Sequence, residues 1–308
     1  MIAQSLRPMA NVDGAISPLE EASVSVLDRG FLYGDSIYEV FRTYSGVPLF
    51  CHEHMDRMEN SAALIHMTLG QTREEILGEI RRTIEAAEPP SGEDVYVRWH
   101  VTRGGGPVDL VPQPDAETRL VVLVKPVPKW NPEHYSHGMR VAVTSVRRNA
   151  ADALNPDIKS GNYLNNILAV SEAIELGADD CVMLNAAGHV TEASTSNVFF
   201  VLDGELVTPS PASGILRGIT KWAIEQMSER EGFPVGAREL SVDDLADVSE
   251  CFVTSSTREV MPVASLMLSR ERSLDLPGGG GPVTRRVAAA YKAAVDEYVD
   301  ANAALRLF

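Results

Sequence analysis

The spacing of apolar residues changes repeatedly along this chain, and this change most limits the folds that the chain can adopt. The segments 37–50 and 94–104 alternate apolar and polar residues, the pattern of a half-buried β-strand, and the apolar segment 119–128 is also predicted to be a strand. The segments 52–67 and 73–88 instead carry apolar residues at helical spacing. The first part of the chain is therefore predicted to be an α+β unit of strands flanked by two helices.

Two further patterns define this first part. "ASVSVLD" (22–28) alternates and is predicted to be a strand, and 37–50 is predicted to be a hairpin that turns at Ser45 and Gly46. "KPVPKWNPEHYSHG" (125–138) is rich in proline and has no apolar period, which is typical of a linker. We therefore divide the chain into an N-terminal domain (1–125), an interdomain linker (126–137) and a C-terminal domain (138–308).

Strands and helices also alternate in the second part of the chain. The predicted elements are a strand at 139–148, a helix at 162–177, a meander of short strands at 179–209, a helix at 218–231, a strand at 249–256 and a helix at 281–300.

Charge and hydropathy exclude several classes of protein. The formal net charge is -16, whereas a nucleic-acid surface needs clustered cations, so no nucleic-acid partner is expected. The start "MIAQSLRPMANVDG" lacks the apolar stretch of a signal peptide, and no run of residues approaches the roughly 20 apolar residues that span a bilayer. We expect a cytoplasmic protein without a membrane partner.

The cysteines and histidines do not predict a metal site. Cys51, Cys181 and Cys251 are far apart in sequence and are expected to be reduced thiols in the core. His52 and His54 are separated by one residue on a predicted helix, so they point in different directions.

One lysine lies in an unusual setting. Lys159 is in "NPDIKSGNYLNN", among small, polar and turn-forming residues, one residue after a predicted strand end and three before a predicted helix. Lysine performs covalent chemistry when it forms a Schiff base with an aldehyde, and pyridoxal 5'-phosphate is the aldehyde cofactor that uses this reaction most. Lys159 is therefore the candidate catalytic residue.

A pyridoxal phosphate enzyme also needs an acid for the ring nitrogen, a partner for the phenolate oxygen and a cradle for the phosphate. Glu192 can supply the acid, and Tyr163, four residues after the lysine, can donate to the phenolate. The cradle candidates are the helix start at Ile219 and Thr220, the hydroxyls of Ser256 and Thr257, and the cation Arg57. Each residue alone also fits an ordinary role, such as a solvated carboxylate, a simple helix cap or a surface arginine.

The order and spacing of these residues resemble the fold-type IV pyridoxal-phosphate enzymes. This family contains branched-chain aminotransferases, D-amino-acid aminotransferases, (R)-amine transaminases and aminodeoxychorismate lyases. The similarity runs from "DRGFLYGDSIYEVFR" through "HMDRM" and "IKSGNYLNN" to "GPVTRR", and "EASTSNVFFVLDGELVTPSPASGILRG" is its most specific part. The resemblance implies a two-domain α+β fold of the D-amino-acid aminotransferase type, with a smaller N-terminal α/β domain and a larger C-terminal domain of mixed sheets or a pseudo-barrel.

The resemblance also implies a role for each candidate residue. Lys159 would bind the cofactor as a Schiff base and shuttle the proton, Glu192 would contact the ring nitrogen, and Tyr163 would contact the phenolic oxygen. The phosphate would be surrounded by Arg57, Ile219, Thr220, Ser256 and Thr257. A homodimer or a higher homo-oligomer is expected, since a second subunit completes the active site in this family.

The substrate wall in this family matches Tyr33, Tyr38, Tyr96 and Arg98. Tyr96, Arg98 and His100 alternate along one predicted strand and therefore share a face, where the arginine can bind a carboxylate in bidentate fashion. The alternative is a surface ladder on an edge strand.

The motifs that relate to the choice of substrate match more than one group of enzymes in this family. "YVR" resembles the branched-chain enzymes, and "DRGFLYGDSIYEV" is closer to the D-amino-acid enzymes, but "TRGGGPVDLVP" lacks the Arg-x-His that the latter carry. "EVFR" also departs from the branched-chain Glu-Gly-Ile-Arg, and Arg217 stands where the branched-chain enzymes have a proline before the glycine of the phosphate loop. We expect a branched-chain L-amino acid and a 2-oxo acid as substrates. The alternatives are a D-amino-acid or (R)-amine transaminase, a lyase, or a binding protein without activity.

Overall fold

The computed structural model describes residues 6–113 and 116–308, which form two compact units. The first unit contains the described chain up to Pro128, Ile158–Asn162 and Glu297–Phe308, and the second contains Lys129–Asp157 and Tyr163–Asp296. Both units combine sheets with helices, so the predicted α+β class is confirmed.

The elements of the first unit are the strands β1 (Met9–Val12), β2 (Ala15–Pro18), β3 (Ser36–Tyr44), β4 (Val47–Pro48), β5 (Val95–Thr102) and β6 (Arg119–Pro126) and the helices α1 (Arg29–Tyr33), α2 (Cys51–Leu64) and α3 (Arg73–Ala87). Those of the second are the strands β7 (Met139–Arg147), β8 (Asp180–Leu184), β9 (Val190–Ala193), β10 (Asn197–Leu202), β11 (Glu205–Pro209), β12 (Val235–Arg238), β13 (Val248–Ser255), β14 (Glu259–Met267) and β15 (Ser273–Asp275) and the helices α4 (Pro132–Ser136), α5 (Leu164–Glu175), α6 (Ile219–Arg230) and α7 (Pro282–Ala301), whose last residues belong to the first unit.

The first unit is built on an antiparallel sheet with the strand order β2-β1-β6-β5-β3-β4. The hairpin of β3 and β4 turns at Ser45 and Gly46, as predicted, because both residues adopt positive φ angles. Apolar residues of α2 and α3 form one core with the inward side chains of the sheet, including Ile37, Phe41 and Trp99. This core gives β3 and β5 fixed faces and so determines which of their side chains can reach a ligand.

Two predictions about the backbone of the first unit are wrong. Residues 22–28 are not a strand: Asp28 forms an isolated bridge to Gly105, and the apolar side chains of Val24 and Val26 are exposed. An alternating pattern makes a strand only when a partner strand and a buried face are available. Lys159 does not follow a strand end either, because β7 ends at Arg147 and turns at 151–153 and 156–157 lie between that strand and the lysine.

The second unit contains a larger mixed sheet, in the order β12-β11-β10-β13-β14-β7-β8-β9, with β15 beside β14. The pairs β11 with β12, β14 with β7 and β7 with β8 are parallel, which mixes the sheet. The predicted helices of this part are confirmed as α5, α6 and α7. The three cysteines of the chain are buried and unpaired, as expected of core thiols. Across the described residues, each helix is too short or too polar to cross a bilayer.

Candidate active site

Lys159 is fixed by its main chain and lies against a tyrosine of the first unit. Its carbonyl accepts a hydrogen bond from the backbone N–H of Tyr38 at 2.9 Å, and its own N–H donates to the hydroxyl of Ser61 at 3.2 Å. Its amine lies 3.4 Å from Tyr38 Oη and 4.5 Å from the centroid of that ring. The backbone is anchored on strand β3 and helix α2, so the amine is held over one aromatic face.

The same tyrosine carries the candidate carboxylate-binding arginine. Arg98 Cζ lies 4.0 Å from the centroid of the Tyr38 ring, and the ring of His100 stacks on Tyr38 at 5.3 Å. Arg98 Nε donates to His100 Nε2 at 2.6 Å. Burial and the adjacent Arg98 lower the pKa of His100 to about 3, so the ring is neutral and can accept this bond.

The edge-strand alternative for Arg98 is wrong. Strand β5 lies between β3 and β6, in the interior of the sheet. Along β5, Val95, Val97, Trp99 and Val101 are buried, whereas Tyr96, Arg98 and His100 on the other face are half-buried, as the alternation predicted. Burial raises the pKa of Tyr96, against the opposing effect of Arg98. Tyr33 ends helix α1, where the Arg29 guanidinium lies 5.1 Å from its ring centroid.

Arg57, a candidate for the phosphate, belongs to a buried group of charges in the first unit. Its Nε and Nη2 donate to the two oxygens of Glu39 at 2.6 and 2.8 Å, and His54 Nδ1 lies 2.7 Å from Glu39 Oε2. Burial acts to raise the pKa of Glu39, but the charges and hydrogen bonds of Arg57 and His54 outweigh it and hold that pKa far below its usual range. Arg57 thus shares its charge with a carboxylate whose side chain is 0% exposed.

In the second unit, Glu192 is held by two hydrogen bonds to one carboxylate oxygen and by an ion pair at the other. Oε2 accepts from the backbone N–H of Leu216 at 3.0 Å and from Asn197 Nδ2 at 3.2 Å. Arg148 Nη2 lies 2.8 Å from Oε1. Asn197 Nδ2 also donates to the carbonyl of Leu216 at 2.9 Å. The carboxylate on strand β9 is therefore tied directly to the turn that precedes helix α6.

The start of helix α6 fits a phosphate group. Gly218 is the N-cap and no side chain caps the helix, so the donors that a helix start leaves unpaired can reach an anion. A Cβ at Gly218 would collide with Asn197 Oδ1, so only glycine allows this close approach. Ile219 and Thr220 are the first residues of the helix, as the sequence predicted.

The remaining candidates of the second unit lie at an element boundary and in a turn. Tyr163 is the N-cap residue of α5, directly before Leu164. Ser256 and Thr257 form the turn between β13 and β14. These positions do not test the contacts with the cofactor that the resemblance implies, so those contacts stay predictions.

Two charged residues of these groups were missed in the sequence. Glu39 lies on the same strand face as Ile37 and Phe41, both 0% exposed, so a carboxylate at core spacing was the available signal. Arg148 follows another arginine at the end of β7, and nothing in the local sequence marks it.

Comparison with known proteins identifies the family. The family model "Amino-transferase class IV" matches residues 36–266. A putative branched-chain-amino-acid aminotransferase of Methanocaldococcus jannaschii is 35% identical over 252 residues, covering 82% of this chain and 85% of the relative. A D-alanine aminotransferase of Listeria monocytogenes is 34% identical over 250 residues, covering 80% of this chain and 83% of the relative.

The fold also matches solved structures. The branched-chain amino acid aminotransferase of T.th., complexed with N-(5'-phosphopyridoxyl)-L-glutamate, superposes with a TM-score of 0.82 at 29% identity, over 96% of this chain and 98% of the other. The fold-type IV architecture expected from the motifs is thereby confirmed, and the chain belongs to the class IV aminotransferases.

Proposed function

We propose that this enzyme uses pyridoxal 5'-phosphate to move an amino group between a branched-chain L-amino acid and a 2-oxo acid such as 2-oxoglutarate. The observation that carries the proposal is the carboxylate of Glu192, oriented by Leu216 and Asn197 at the uncapped start of helix α6. An acid and an anion site in one rigid group suit a ligand that has both a basic ring nitrogen and a phosphate. The relatives named as branched-chain aminotransferases support the substrate.

Lys159 is the residue that carries the chemistry in this proposal. Pyridoxal phosphate, when bound, supplies an aldehyde for a Schiff base and a ring that withdraws electrons from the substrate's α-carbon. Lys159 Nζ would take the proton from the substrate's α-carbon as a base and would deliver it to C4′ of the cofactor as an acid, for which the amine must be neutral when it accepts the proton. The hydroxyl and ring of Tyr38 limit the positions that the amine can take during this transfer.

The other residues bind and orient the cofactor. Glu192 accepts a hydrogen bond from the protonated ring nitrogen, and Tyr163 donates to the phenolic oxygen. The backbone N–H groups of Ile219 and Thr220 bind the phosphate. The hydroxyls of Ser256 and Thr257 and the guanidinium of Arg57 complete the phosphate site. Because Glu39 neutralises Arg57, the arginine contributes hydrogen-bond donors more than net charge.

Arg98 is the proposed receptor for a substrate carboxylate. Its Nε donates to His100, so a substrate carboxylate would bind at the terminal nitrogens Nη1 and Nη2, beside the Tyr96 side chain that is hydrogen-bonded to Arg98. Tyr33, Tyr38 and Tyr96 are proposed to line the pocket for the rest of the substrate. Tyr38 would thus contact both the catalytic lysine and the carboxylate-binding arginine.

The experiment that tests this function is a panel of half-reactions. The purified enzyme is mixed with L-leucine, L-glutamate, D-alanine, D-glutamate or (R)-1-phenylethylamine, and conversion of the cofactor to its amine form is followed by absorbance. We expect the fastest conversion with L-leucine. A response confined to the D-amino acids or to the aryl amine would contradict the substrate and leave the transaminase chemistry intact.

A D-amino-acid substrate is the second candidate, and the D-alanine aminotransferase of Listeria monocytogenes is the observation that favours it. The sequence after "TRG" argues against it, because "TRGGGPVDLVP" lacks the Arg-x-His that those enzymes carry. Return of the aldehyde spectrum on addition of 2-oxoglutarate separates either transaminase from a lyase. A protein with no absorption band from a bound cofactor would support the binding-protein alternative.

We also propose that the enzyme is a homodimer or a higher homo-oligomer in the cytoplasm. The loop after β5 exposes Val108, Leu110 and Val111, each by more than 60%, although Arg29 fixes it through the carbonyls of Asp109 and Leu110. An apolar surface on an anchored loop suits a protein interface. Light scattering coupled to size exclusion should give at least twice the chain mass, as expected of a dimer or a higher homo-oligomer, and the mass of a single chain would contradict the proposal. Three buried, unpaired thiols suit a reducing compartment.

A further inference from the structure

The turn that carries Ser256 and Thr257 is held by two side chains from the segment predicted to be a linker. Trp130 Nε1 donates to the carbonyl of Thr257 at 3.0 Å. The hydroxyl of Tyr135 donates to the carbonyl of Arg258 at 3.1 Å. Part of this segment forms helix α4. Its two side chains donate hydrogen bonds to two consecutive carbonyls of the turn.

Arg258 anchors the same turn from within the unit. Its side chain forms an ion pair with Asp180, which is 0% exposed, and donates to the hydroxyl of Ser196 at 3.1 Å. Its guanidinium carbon lies 4.5 Å from the centroid of a Trp130 ring, and its backbone N–H donates to Ser255 Oγ at 3.2 Å. Burying an arginine without partners is costly, so its contacts with Asp180 and Ser196 determine where it can lie.

The backbone conformation shows why the turn needs support. Glu259, directly after Arg258, has a φ of 57°, in the left-handed region that disfavours residues other than glycine. Because each peptide unit is planar, fixing the carbonyls of Thr257 and Arg258 fixes two successive peptide planes. The first of these planes contains the Cα of Thr257, so the position of that Cα is fixed with it.

We propose that Trp130, Tyr135 and Arg258 are positioning residues that hold the 256–257 turn in the conformation that binds a phosphate monoester. They act through the turn and do not touch the ligand. The inference rests on the proposed function, which assigns Ser256 and Thr257 to the cofactor's phosphate. It gives the predicted linker a role in affinity for the phosphate, in addition to joining parts of the chain.

The test compares two ligands that differ only in the phosphate. The purified protein is freed of cofactor and titrated with pyridoxal 5'-phosphate and with pyridoxal, and both dissociation constants are measured by absorbance. Trp130→Phe and Tyr135→Phe each remove one donor and keep an aromatic ring. We expect each to weaken binding of pyridoxal phosphate by about 3- to 10-fold, as one neutral hydrogen bond allows, and to leave pyridoxal within about twofold. Arg258→Lys should lose less affinity than Arg258→Met, because it retains the charge that faces Asp180.

Tyr298→Phe is the matched control. The Tyr298 hydroxyl accepts a hydrogen bond from the N–H of Cys51 at 3.2 Å in the first unit, so this variant also loses one hydroxyl contact with the backbone. We expect a lower melting temperature and an unchanged ratio of the two dissociation constants. A merely structural role for Trp130 and Tyr135 would give their variants this same result, and it would overturn the inference.

Variants of the phosphate residues separate this inference from the proposed function. If Ser256→Ala and Thr257→Val reduce the preference for the phosphorylated ligand but Trp130→Phe and Tyr135→Phe do not, the inference fails and the proposed function stands. If Ser256→Ala and Thr257→Val leave the preference unchanged, the turn does not bind the phosphate. That result overturns the inference together with this part of the proposed function.

Discussion

Replacing Glu39 by glutamine should strongly destabilise the first unit. The carboxylate is 0% exposed and accepts two hydrogen bonds from Arg57, whose side chain is 12% exposed. Glutamine removes the negative charge and turns one acceptor into a donor that faces the donors of Arg57. Breaking a buried ion pair by removing one partner costs roughly 3–5 kcal/mol, because the other charge stays buried. Since Arg57 retains some contact with water, we expect about 3 kcal/mol for Glu39→Gln.

The measurement is urea unfolding of the cofactor-free protein, followed by circular dichroism and tryptophan fluorescence. Glu59→Gln is the matched control, because Glu59 pairs with Arg73 at the surface, where the two side chains are 46% and 38% exposed. An exposed pair is worth at most about 1 kcal/mol, so the control should lose that much or less. The two substitutions are chemically identical, so their difference measures the effect of burial.

A double variant tests whether the loss comes from the ion pair. Glu39→Gln combined with Arg57→Met leaves no buried guanidinium without its carboxylate, so the double variant should lose less than the sum of the single variants. Simple addition of the two losses would refute the coupling between these residues. A loss from Glu39→Gln equal to that from Glu59→Gln would refute the magnitude.

Three further results are expected. The pKa of Glu39 is lower in the folded than in the unfolded chain, so its stabilisation is complete above about pH 4.3 and is lost as pH falls through the folded pKa. The free energy of unfolding should therefore fall less steeply with decreasing pH in Glu39→Gln than in wild type. Equal slopes of the free energy of unfolding against pH would contradict this. Gly218→Ala should weaken pyridoxal phosphate binding at least about 10-fold in titrations, since its Cβ would collide with the side chain of Asn197 and displace it from the helix start; unchanged affinity would show that the helix start does not bind the phosphate. The pKa of His100 is about 3, so its bond from Arg98 persists from about pH 5 to 9; a KM for 2-oxoglutarate that changes as a histidine titrates near about pH 6.5 would contradict this.

The sequence predicted correctly those strands in which the spacing of apolar residues and the residues of the adjoining turn indicate the same structure. The hairpin of β3 and β4 has alternating residues and a Ser45-Gly46 turn, and the hairpin and its turn are present in the fold. Residues 22–28 have the alternation alone, and without a partner strand they remain a loop. Strand β14 was not predicted, because its first half is continuously buried and shows no period of two. The proposed boundaries at 125 and 138 stay a prediction.

The candidate site was predictable where chemistry restricts the residue type. A lysine at position 159 and a glycine at the start of α6 stand out, because few other residues could replace them. The buried partners do not stand out: Glu39 and Arg148 act through contacts between residues far apart in sequence, which only the fold brings together. Trp130 and Tyr135 lie in a segment without periodicity, and no local sequence pattern predicts their hydrogen bonds to the carbonyls of Thr257 and Arg258.

The most direct test of the proposed chemistry is to locate the covalent attachment of the cofactor. Reduction of the purified protein with borohydride fixes a Schiff base as a stable secondary amine, and peptide mapping by mass spectrometry then identifies the modified lysine. The proposed chemistry predicts one phosphopyridoxyl group, on the peptide that contains Lys159. Attachment to Lys125, Lys129, Lys221 or Lys292, or no attachment at all, would contradict it.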